Sequence, residues 1–168
     1  MKDLMIDIET LDTLPTAAVL SIGAVYFDRR TGEIGGSFYS RISFVDAITL
    51  GSFSDSTMNW WGQQSDEARN EAFSGMENAI DVARNFNKFI KPNSLVWGNG
   101  SVFDITILEN WFRACNTPVP WKFWNVRDVR TIVDWFNIDV RSYKREGVHH
   151  NALDDCLHQI KYICGGSK

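Results

Sequence analysis

The stretch LMIDIE at residues 4–9 decides the fold, because it is a short apolar run that carries two acidic residues. It predicts a buried β-strand near the start of the chain. Residues i and i+2 of a strand point to the same face, so Asp7 and Glu9 present two carboxylates to one place. Ile6 and Ile8 then face the other side and anchor the strand. Burying unpaired charge is costly, and a shared divalent metal ion is one partner that offsets this cost.

The rest of the chain predicts a mixed sheet flanked by helices. Two more strands are expected at residues 19–27 and 36–42, and they complete a β-meander with the first. Beyond the meander we expect a short strand at 95–97 and helices at 54–75 (interrupted), 76–90, 104–115, 127–136 and 152–164. This order predicts an α/β fold, and the length of the chain fits one domain spanning residues 1–168.

The charge of the chain argues against one mode of nucleic-acid binding. A formal net charge of −4 does not suggest a protein that coats nucleic acid through bulk positive charge. Bound divalent cations would offset several of the carboxylates and would attract phosphate instead. The acidic balance is therefore compatible with a metal-dependent enzyme that acts on nucleic acid.

The cysteines and the apolar runs favour a reduced, cytoplasmic setting. The three cysteines are Cys115, Cys156 and Cys164, and none of them forms a CxxC pair. Their odd number and spacing predict neither a disulfide framework nor a zinc site. No apolar run has the length of a membrane span, and the first residues do not have the pattern of a signal peptide, so we expect no membrane partner.

Two further acidic islands follow the first, and a histidine introduces the last. Asp104 follows the loop at 98–101 and is expected to begin a helix, and Asp155 lies in the first turns of the last helix, five residues after His150. Taken singly, Asp104 is more simply a helix cap and His150 a surface residue. Taken together, four carboxylates from separate elements could hold two Mg²⁺ or Mn²⁺ ions ~4 Å apart, with His150 as the proton acceptor. Phosphodiester hydrolysis is therefore the leading hypothesis.

The order Asp-x-Glu, Asp, His-x4-Asp resembles the DEDDh 3′–5′ exonucleases of the ribonuclease H-like superfamily. A more specific similarity, to phage exonuclease A and related exoribonuclease-like domains, rests on TMNWWGQQSDEAR at residues 57–69 and KFWNVRDVR at 122–130. The resemblance covers residues 4–163. It implies a ribonuclease H-like fold with a five-stranded mixed sheet, in which Asp7, Glu9, Asp104 and Asp155 bind two Mg²⁺ or Mn²⁺ ions and His150 is the general base.

The resemblance also implies a reaction and a setting. The chain would release nucleoside 5′-monophosphates from a single-stranded 3′ end, and DNA is favoured over RNA as the substrate. It would be encoded by a phage or prophage and act in the bacterial cytoplasm, and a homodimer is left open. The alternatives are a 3′–5′ exoribonuclease using the same residues and an inactive nucleic-acid-binding module of this fold.

The last motif has two registers. His149 and Asp154 have the same spacing as His150 and Asp155, so spacing alone does not separate the pairs. The similarity of residues 152–155 to oligoribonuclease favours Asp155.

Substrate contacts are also implied by the resemblance. The backbone of Thr10 and Leu11 would receive the terminal nucleotide, and Phe103 would wall the pocket. Trp60 and Trp61 cannot share one helix face. Either one or both of them simply pack in the core, or one of them, for which we predict Trp61, lines the groove and stacks on a base. The predicted substrate-binding set is Thr10, Leu11, Trp61, Asn99 and Phe103.

Basic residues offer two further possibilities. Arg127 forms an internal ion pair with Asp128, or else Arg127 or Arg130 contacts a phosphate. The basic stretch at 141–145 is expected to be a mobile loop that could grip the nucleic-acid backbone.

Overall fold

The computed structural model of the protein describes residues 1–166 and is built around a five-stranded mixed sheet. The strands are β1 (Asp3–Thr10), β2 (Val19–Phe27), β3 (Ile34–Arg41), β4 (Leu95–Gly98) and β5 (Val126–Asp128). Their order is β3-β2-β1-β4-β5, in which β1, β2 and β3 form the antiparallel meander and β4 and β5 run parallel to β1. This order places the first acidic strand at the centre of the sheet, and the prediction of a five-stranded mixed sheet is confirmed.

Helices flank this sheet on both faces. They are α1 (Phe44–Leu50), α2 (Asp55–Gly62), α3 (Asp66–Phe73), α4 (Ala79–Phe89), α5 (Ser101–Ala114), α6 (Val129–Trp135) and α7 (Ala152–Gly166). Ser54 and Ser65 cap α2 and α3, and helix α1 was not predicted. Within residues 1–166, none of the helices is both long enough and apolar enough to cross a membrane.

Helix α5 begins at Ser101, three residues before its predicted start at Asp104. The backbone N–H of Ser101 donates to a carboxylate oxygen of Asp128 at 2.6 Å, so a residue of β5 caps this helix from across the sheet. Asp104 consequently lies in the first turn of α5, where a carboxylate is favoured by the helix dipole.

The alternation of β1 separates the two faces of the core. Leu4, Ile6 and Ile8 pack into the larger cluster with the helices α2 to α5, whereas Met5 packs into the cluster formed with α6 and α7. Asp7 and Glu9 therefore point to the side of the sheet that α7 covers.

Glycine at position 23 allows α7 to approach the sheet closely. Gly23 lies opposite Asp7 in the β1–β2 ladder. A Cβ atom at this position would lie 2.3 Å from the backbone carbonyl carbon of Ala152, the first residue of α7. Only a residue without a side chain fits there, and this contact brings the acidic first turns of α7 next to Asp7.

Candidate active site

The three acidic islands of the sequence meet in one cleft of about 640 Å³ at the carboxyl end of β1. Asp7 and Glu9 enter it from β1, Asp104 from the first turn of α5, and Asp155 from the first turn of α7. His150 enters from the turn that precedes α7. The structure thus brings together all four predicted carboxylates and the predicted histidine.

Two of the carboxylates in this cleft, Glu9 and Asp104, are buried, and both are close enough to Asp7 for their charges to repel. Glu9 is 7% exposed and Asp104 is 4% exposed. Burial raises the pKa of Glu9 well above its usual range, and the charges of Asp7 and Asp104 raise it further. Burial and the charge of Asp7 likewise raise the pKa of Asp104. Burial raises the pKa of Asp7 to about 7, although a hydrogen bond from Gln159 and the charge of Arg145 act in the opposite direction.

These residues fit a divalent cation. Glu9, His150 and Asp155 each offer a ligand atom, and these atoms lie within 4.8 Å of one another. Oδ2 of Asp104 is buried and has no hydrogen-bond partner among residues 1–166. Carboxylate oxygens are the ligands that Mg²⁺ and Mn²⁺ prefer. A bound cation would offset the repulsion between the carboxylates and would give the unpartnered oxygen of Asp104 a ligand bond.

The geometry of the last motif favours the pair His150 and Asp155. Oδ2 of Asp154 accepts a hydrogen bond from the backbone N–H of Val148 at 2.7 Å, so this carboxylate holds the preceding loop. Asp155, by contrast, lies in the cleft near Glu9. His149 also borders the cleft but is more exposed than His150.

His150 is held in place by an unusual backbone and by aromatic packing. Its φ of 63° lies in the left-handed region, which non-glycine residues rarely adopt. Its ring packs edge-on against Trp60, with the ring centroids 4.8 Å apart. Burial, together with the charges of His149 and Arg145, lowers the pKa of His150 to about 4. The imidazole is consequently neutral at pH 7, which is the form that accepts a proton.

The two adjacent tryptophans have opposite environments, and the prediction that Trp61 binds substrate is wrong. Trp61 is 1% exposed, and its Nε1–H donates to the backbone carbonyl of Thr10 at 2.9 Å. Trp60 is 40% exposed and lines the cleft. The expected division into one buried and one exposed ring is correct, but the assignment is reversed, because α2 packs on the core through Trp61.

The structure does not place Leu11, which was predicted to bind substrate, in the lining of the cleft. Its side chain is fully buried, its N–H donates to the carbonyl of Ala18 at 3.0 Å, and its carbonyl accepts from Ser54 at 3.0 Å. Its side chain and its N–H are therefore not available to a nucleotide. Thr10, Asn99 and Phe103 do line the cleft, as predicted from the resemblance.

Arg127 and Arg130 differ from one another in their contacts. Arg130 lines the cleft, and its Nε donates to the carbonyl of Asn99 at 3.2 Å. Arg127 instead donates to the carbonyls of Trp124 and Val126. An Arg127–Asp128 ion pair does not form within the part of the chain that the structure describes, since the Asp128 carboxylate caps α5 and α6.

Among the cleft residues that were not assigned from the sequence, four come from α7 and from the loop before it. His158, Gln159 and Tyr162 follow Asp155 on α7 at helical spacing, which is a signal that could have identified them. Gln159 is buried, and its Nε2 donates to Oδ1 of Asp7 at 2.7 Å. Arg145, the fourth, was expected on a mobile loop, but the structure folds it against Asp155.

Comparison with known proteins identifies relatives of this chain. Residues 2–164 match the family model described as the 3′-5′ exoribonuclease Rv2179c-like domain. The chain is 29% identical to the exodeoxyribonuclease of Enterobacteria phage T4, in an alignment that covers 95% of this chain and 86% of that protein.

Solved structures show the same fold at lower identity. The zinc-bound complex of E. coli exonuclease I with single-stranded DNA gives a TM-score of 0.65 at 17% identity, over 99% of this chain and 39% of that one. S. pombe Pop2p, in its Mg²⁺- and Mn²⁺-bound form, gives 0.60 at 12% identity, over 98% of this chain and 82% of that one. The chain thus spans well under half the length of exonuclease I, and the likeness confirms the predicted ribonuclease H-like fold.

Proposed function

This chain belongs to the family of Rv2179c-like 3′-5′ exoribonuclease domains and is a 3′–5′ exonuclease. We propose that it degrades single-stranded DNA from the 3′ end. Its family implies a divalent metal ion. In the proposal, Asp7, Glu9, Asp104 and Asp155 bind two Mg²⁺ or two Mn²⁺ ions. The products are nucleoside 5′-monophosphates. The observation that carries the proposal is the convergence of these four carboxylates and His150 in one cleft.

Each group at the centre of the cleft has a role in this proposal. When bound, two divalent ions supply a nucleophilic water at neutral pH and stabilise the charges on the attacking and leaving oxygens. The carboxylates of Asp7, Glu9 and Asp104 would bind these ions at a position fixed by the sheet. His150, neutral at pH 7, accepts a proton from the attacking water.

The walls of the cleft suit a terminal nucleotide. The exposed ring of Trp60 offers a surface on which a base can stack, and Phe103 borders the same space. Arg130 brings a guanidinium that can pair with a phosphate of the strand. We propose that Thr10 and Asn99 line the place where the terminal sugar lies.

DNA is supported as the substrate by two relatives. The T4 protein that aligns over nearly the whole chain is named an exodeoxyribonuclease, and the E. coli exonuclease I structure contains single-stranded DNA. RNA is the second candidate, because the family model is named for an exoribonuclease. The same carboxylates and His150 would serve either sugar.

A substrate panel tests the proposal. Oligonucleotides of one sequence are prepared as DNA and as RNA, single-stranded and duplex, each labelled at the 5′ or at the 3′ end. With Mn²⁺ or Mg²⁺ we expect a 5′-labelled DNA strand to shorten stepwise and a 3′-labelled one to release labelled mononucleotide at once, and EDTA to stop both reactions. Faster loss of RNA would establish the second candidate. Binding of an oligonucleotide without cleavage under any metal would support a nucleic-acid-binding module instead. The Asp104→Asn protein serves as the control for contaminating nuclease.

We further propose that residues 1–168 act as one exonuclease domain in the bacterial cytoplasm and that the chain is encoded by a phage or prophage. The packing of α7 on β1 and β2 supports a single domain. The similarity to a phage T4 protein supports a phage or prophage origin. Light scattering coupled to gel filtration would separate a monomer from a homodimer.

A further inference from the structure

Arg145 lies inside the cleft, although its neighbours in sequence face solvent. Its Nη2 forms an ion pair with Oδ1 of Asp155, and the two side chains are 28% and 13% exposed. Lys144 and Glu146 on either side are exposed. Of three consecutive charged side chains, the loop therefore directs only the middle one into the site.

Helix α7 holds this loop on both sides of Arg145. Nζ of Lys161 donates to the backbone carbonyl of Lys144 and to the carboxylate of Glu146, each at 3.1 Å. The carboxylate of Asp154 accepts from the N–H of Val148. Because these bonds position the loop without Arg145, its ion pair with Asp155 is not needed to hold the loop.

The guanidinium of Arg145 acts on the whole carboxylate cluster and retains unused donors. Its charge opposes the rise in the pKa of Asp7 and of Glu9. Its Nε is buried and has no hydrogen-bond partner in the described part of the chain. A guanidinium has five N–H donors in a fork that matches a phosphate, so an anion can still be bound by Arg145.

We propose that Arg145 exchanges partners during the reaction, pairing with Asp155 in the metal-free protein and with a non-bridging oxygen of the scissile phosphate once a divalent ion occupies Asp155. This inference rests on the proposed function. It assigns Arg145 a direct contact with the substrate and makes it a competitor of the metal. Removing it therefore strengthens metal binding and slows cleavage, a combination that loss of a merely structural ion pair does not produce.

Metal binding without nucleic acid tests the competition. Calorimetric titration with Mn²⁺ alone compares the wild-type protein, Arg145→Ala and the matched control Lys144→Ala. We expect Arg145→Ala to bind Mn²⁺ about tenfold more tightly, because one opposite-sign contact no longer has to be broken. Lys144→Ala should match the wild type, since its side chain is exposed and its carbonyl bond to Lys161 is retained. Equal or weaker Mn²⁺ binding by Arg145→Ala would overturn the inference.

Single-turnover cleavage at saturating Mn²⁺ tests the phosphate contact. We expect Arg145→Ala to be slower by roughly 10²-fold, the usual effect of losing one donor to a developing charge, and Lys144→Ala to stay within about twofold. Arg145→Lys keeps the charge but loses the fork, so it should bind Mn²⁺ like the wild type and cleave about tenfold more slowly. This variant carries the test if Arg145→Ala does not fold, and cleavage by it at the wild-type rate would overturn the contact.

The two proposals fail in different ways. A wild-type protein that cleaves no substrate in the panel contradicts the proposed function, and the Mn²⁺ titration then still decides the pairing of Arg145 with Asp155. A wild-type protein that cleaves, together with an Arg145→Ala protein that cleaves equally fast, contradicts the inference on Arg145 alone.

Discussion

The two halves of the cleft are built in different ways. One half, with the half-buried Asp7 and the buried Glu9 and Asp104, is fixed by β1 and the first turn of α5. The other half, with Arg145 and His150, is delivered by the loop and turn before α7 and is more exposed. The sheet half concentrates negative charge, and the loop half carries cationic and basic groups. In the proposed function, the sheet half determines where a metal binds, and the loop half determines which groups meet the substrate.

The largest expected effect follows from removing a charge in the sheet half. Asp104→Asn should reduce the rate of cleavage by about 10³-fold or more, since a metal ligand supplies several kcal/mol of transition-state stabilisation. The same change should leave the metal-free protein at least as stable at pH 8, because the repulsion with Asp7 is gone. Cleavage rates and urea unfolding in EDTA check both parts.

The matched control for Asp104 is Asp154→Asn. Its amide oxygen can still accept the bond from Val148, so we expect cleavage within a few-fold of the wild type. A loss as large as that of Asp104→Asn would show that Asp154, and not Asp155, belongs to the metal site.

The next effect concerns the histidine pair of the loop half. His150→Ala should lower the rate of cleavage by about 10²–10³-fold, the usual contribution of a general base, whereas His149→Ala should change it by less than about tenfold. The two variants are compared in single-turnover reactions at saturating metal. An equal loss in both, or a larger loss in His149→Ala, would assign the base to the other register.

The pKa of Asp7 gives a pH dependence of stability. Its folded-state value is raised from 3.8 to about 7, so the contribution of Asp7 to stability is full below pH 3.8 and is lost as pH rises through about 7. Relative to Asp7→Asn, the metal-free wild type should therefore lose roughly 1–3 kcal/mol of unfolding free energy between pH 4 and pH 8. Urea unfolding in EDTA at several pH values measures the difference. A difference that does not vary with pH would refute the burial of a charge at this position.

The smallest expected effect separates the two tryptophans. Trp60→Ala should weaken binding of a single-stranded oligonucleotide about five- to tenfold, through loss of one stacked base, and should cost no more than about 1 kcal/mol of unfolding free energy. Trp61→Phe should do the opposite, costing about 1–3 kcal/mol of stability because the carbonyl of Thr10 loses its buried donor. Fluorescence anisotropy and thermal unfolding distinguish these outcomes, and weakened binding in Trp61→Phe alone would restore the sequence-based assignment.

The sheet half of the site was accessible to sequence reasoning, because it depends on local periodicity. Asp7 and Glu9 share a face by the alternation of one strand, and that strand is recognisable from its apolar residues. The start of α5 was placed too late, since its cap, Asp128, lies 27 residues further along the chain.

The loop half was less accessible, because long-range packing determines it. The pairs His149–Asp154 and His150–Asp155 have equal spacing, and it is three-dimensional features, among them the bond from Val148 to Asp154 and the left-handed backbone of His150, that separate them. Trp60 and Trp61 diverge on any helix, but which ring is buried depends on how α2 packs. The inward direction of Arg145 depends in the same way on its contacts with α7, which the basic composition of the stretch does not reveal.

In the proposed site, Asp7, Glu9, Asp104 and Asp155 hold a pair of divalent ions beside His150. An anomalous difference map from a crystal grown with Mn²⁺ and a nucleoside 5′-monophosphate locates such ions. We expect two peaks about 4 Å apart among these four carboxylates, with the phosphate of the nucleotide between the ions and His150. The absence of a peak from this cleft, or Mn²⁺ bound only elsewhere on the protein, would contradict the proposed site.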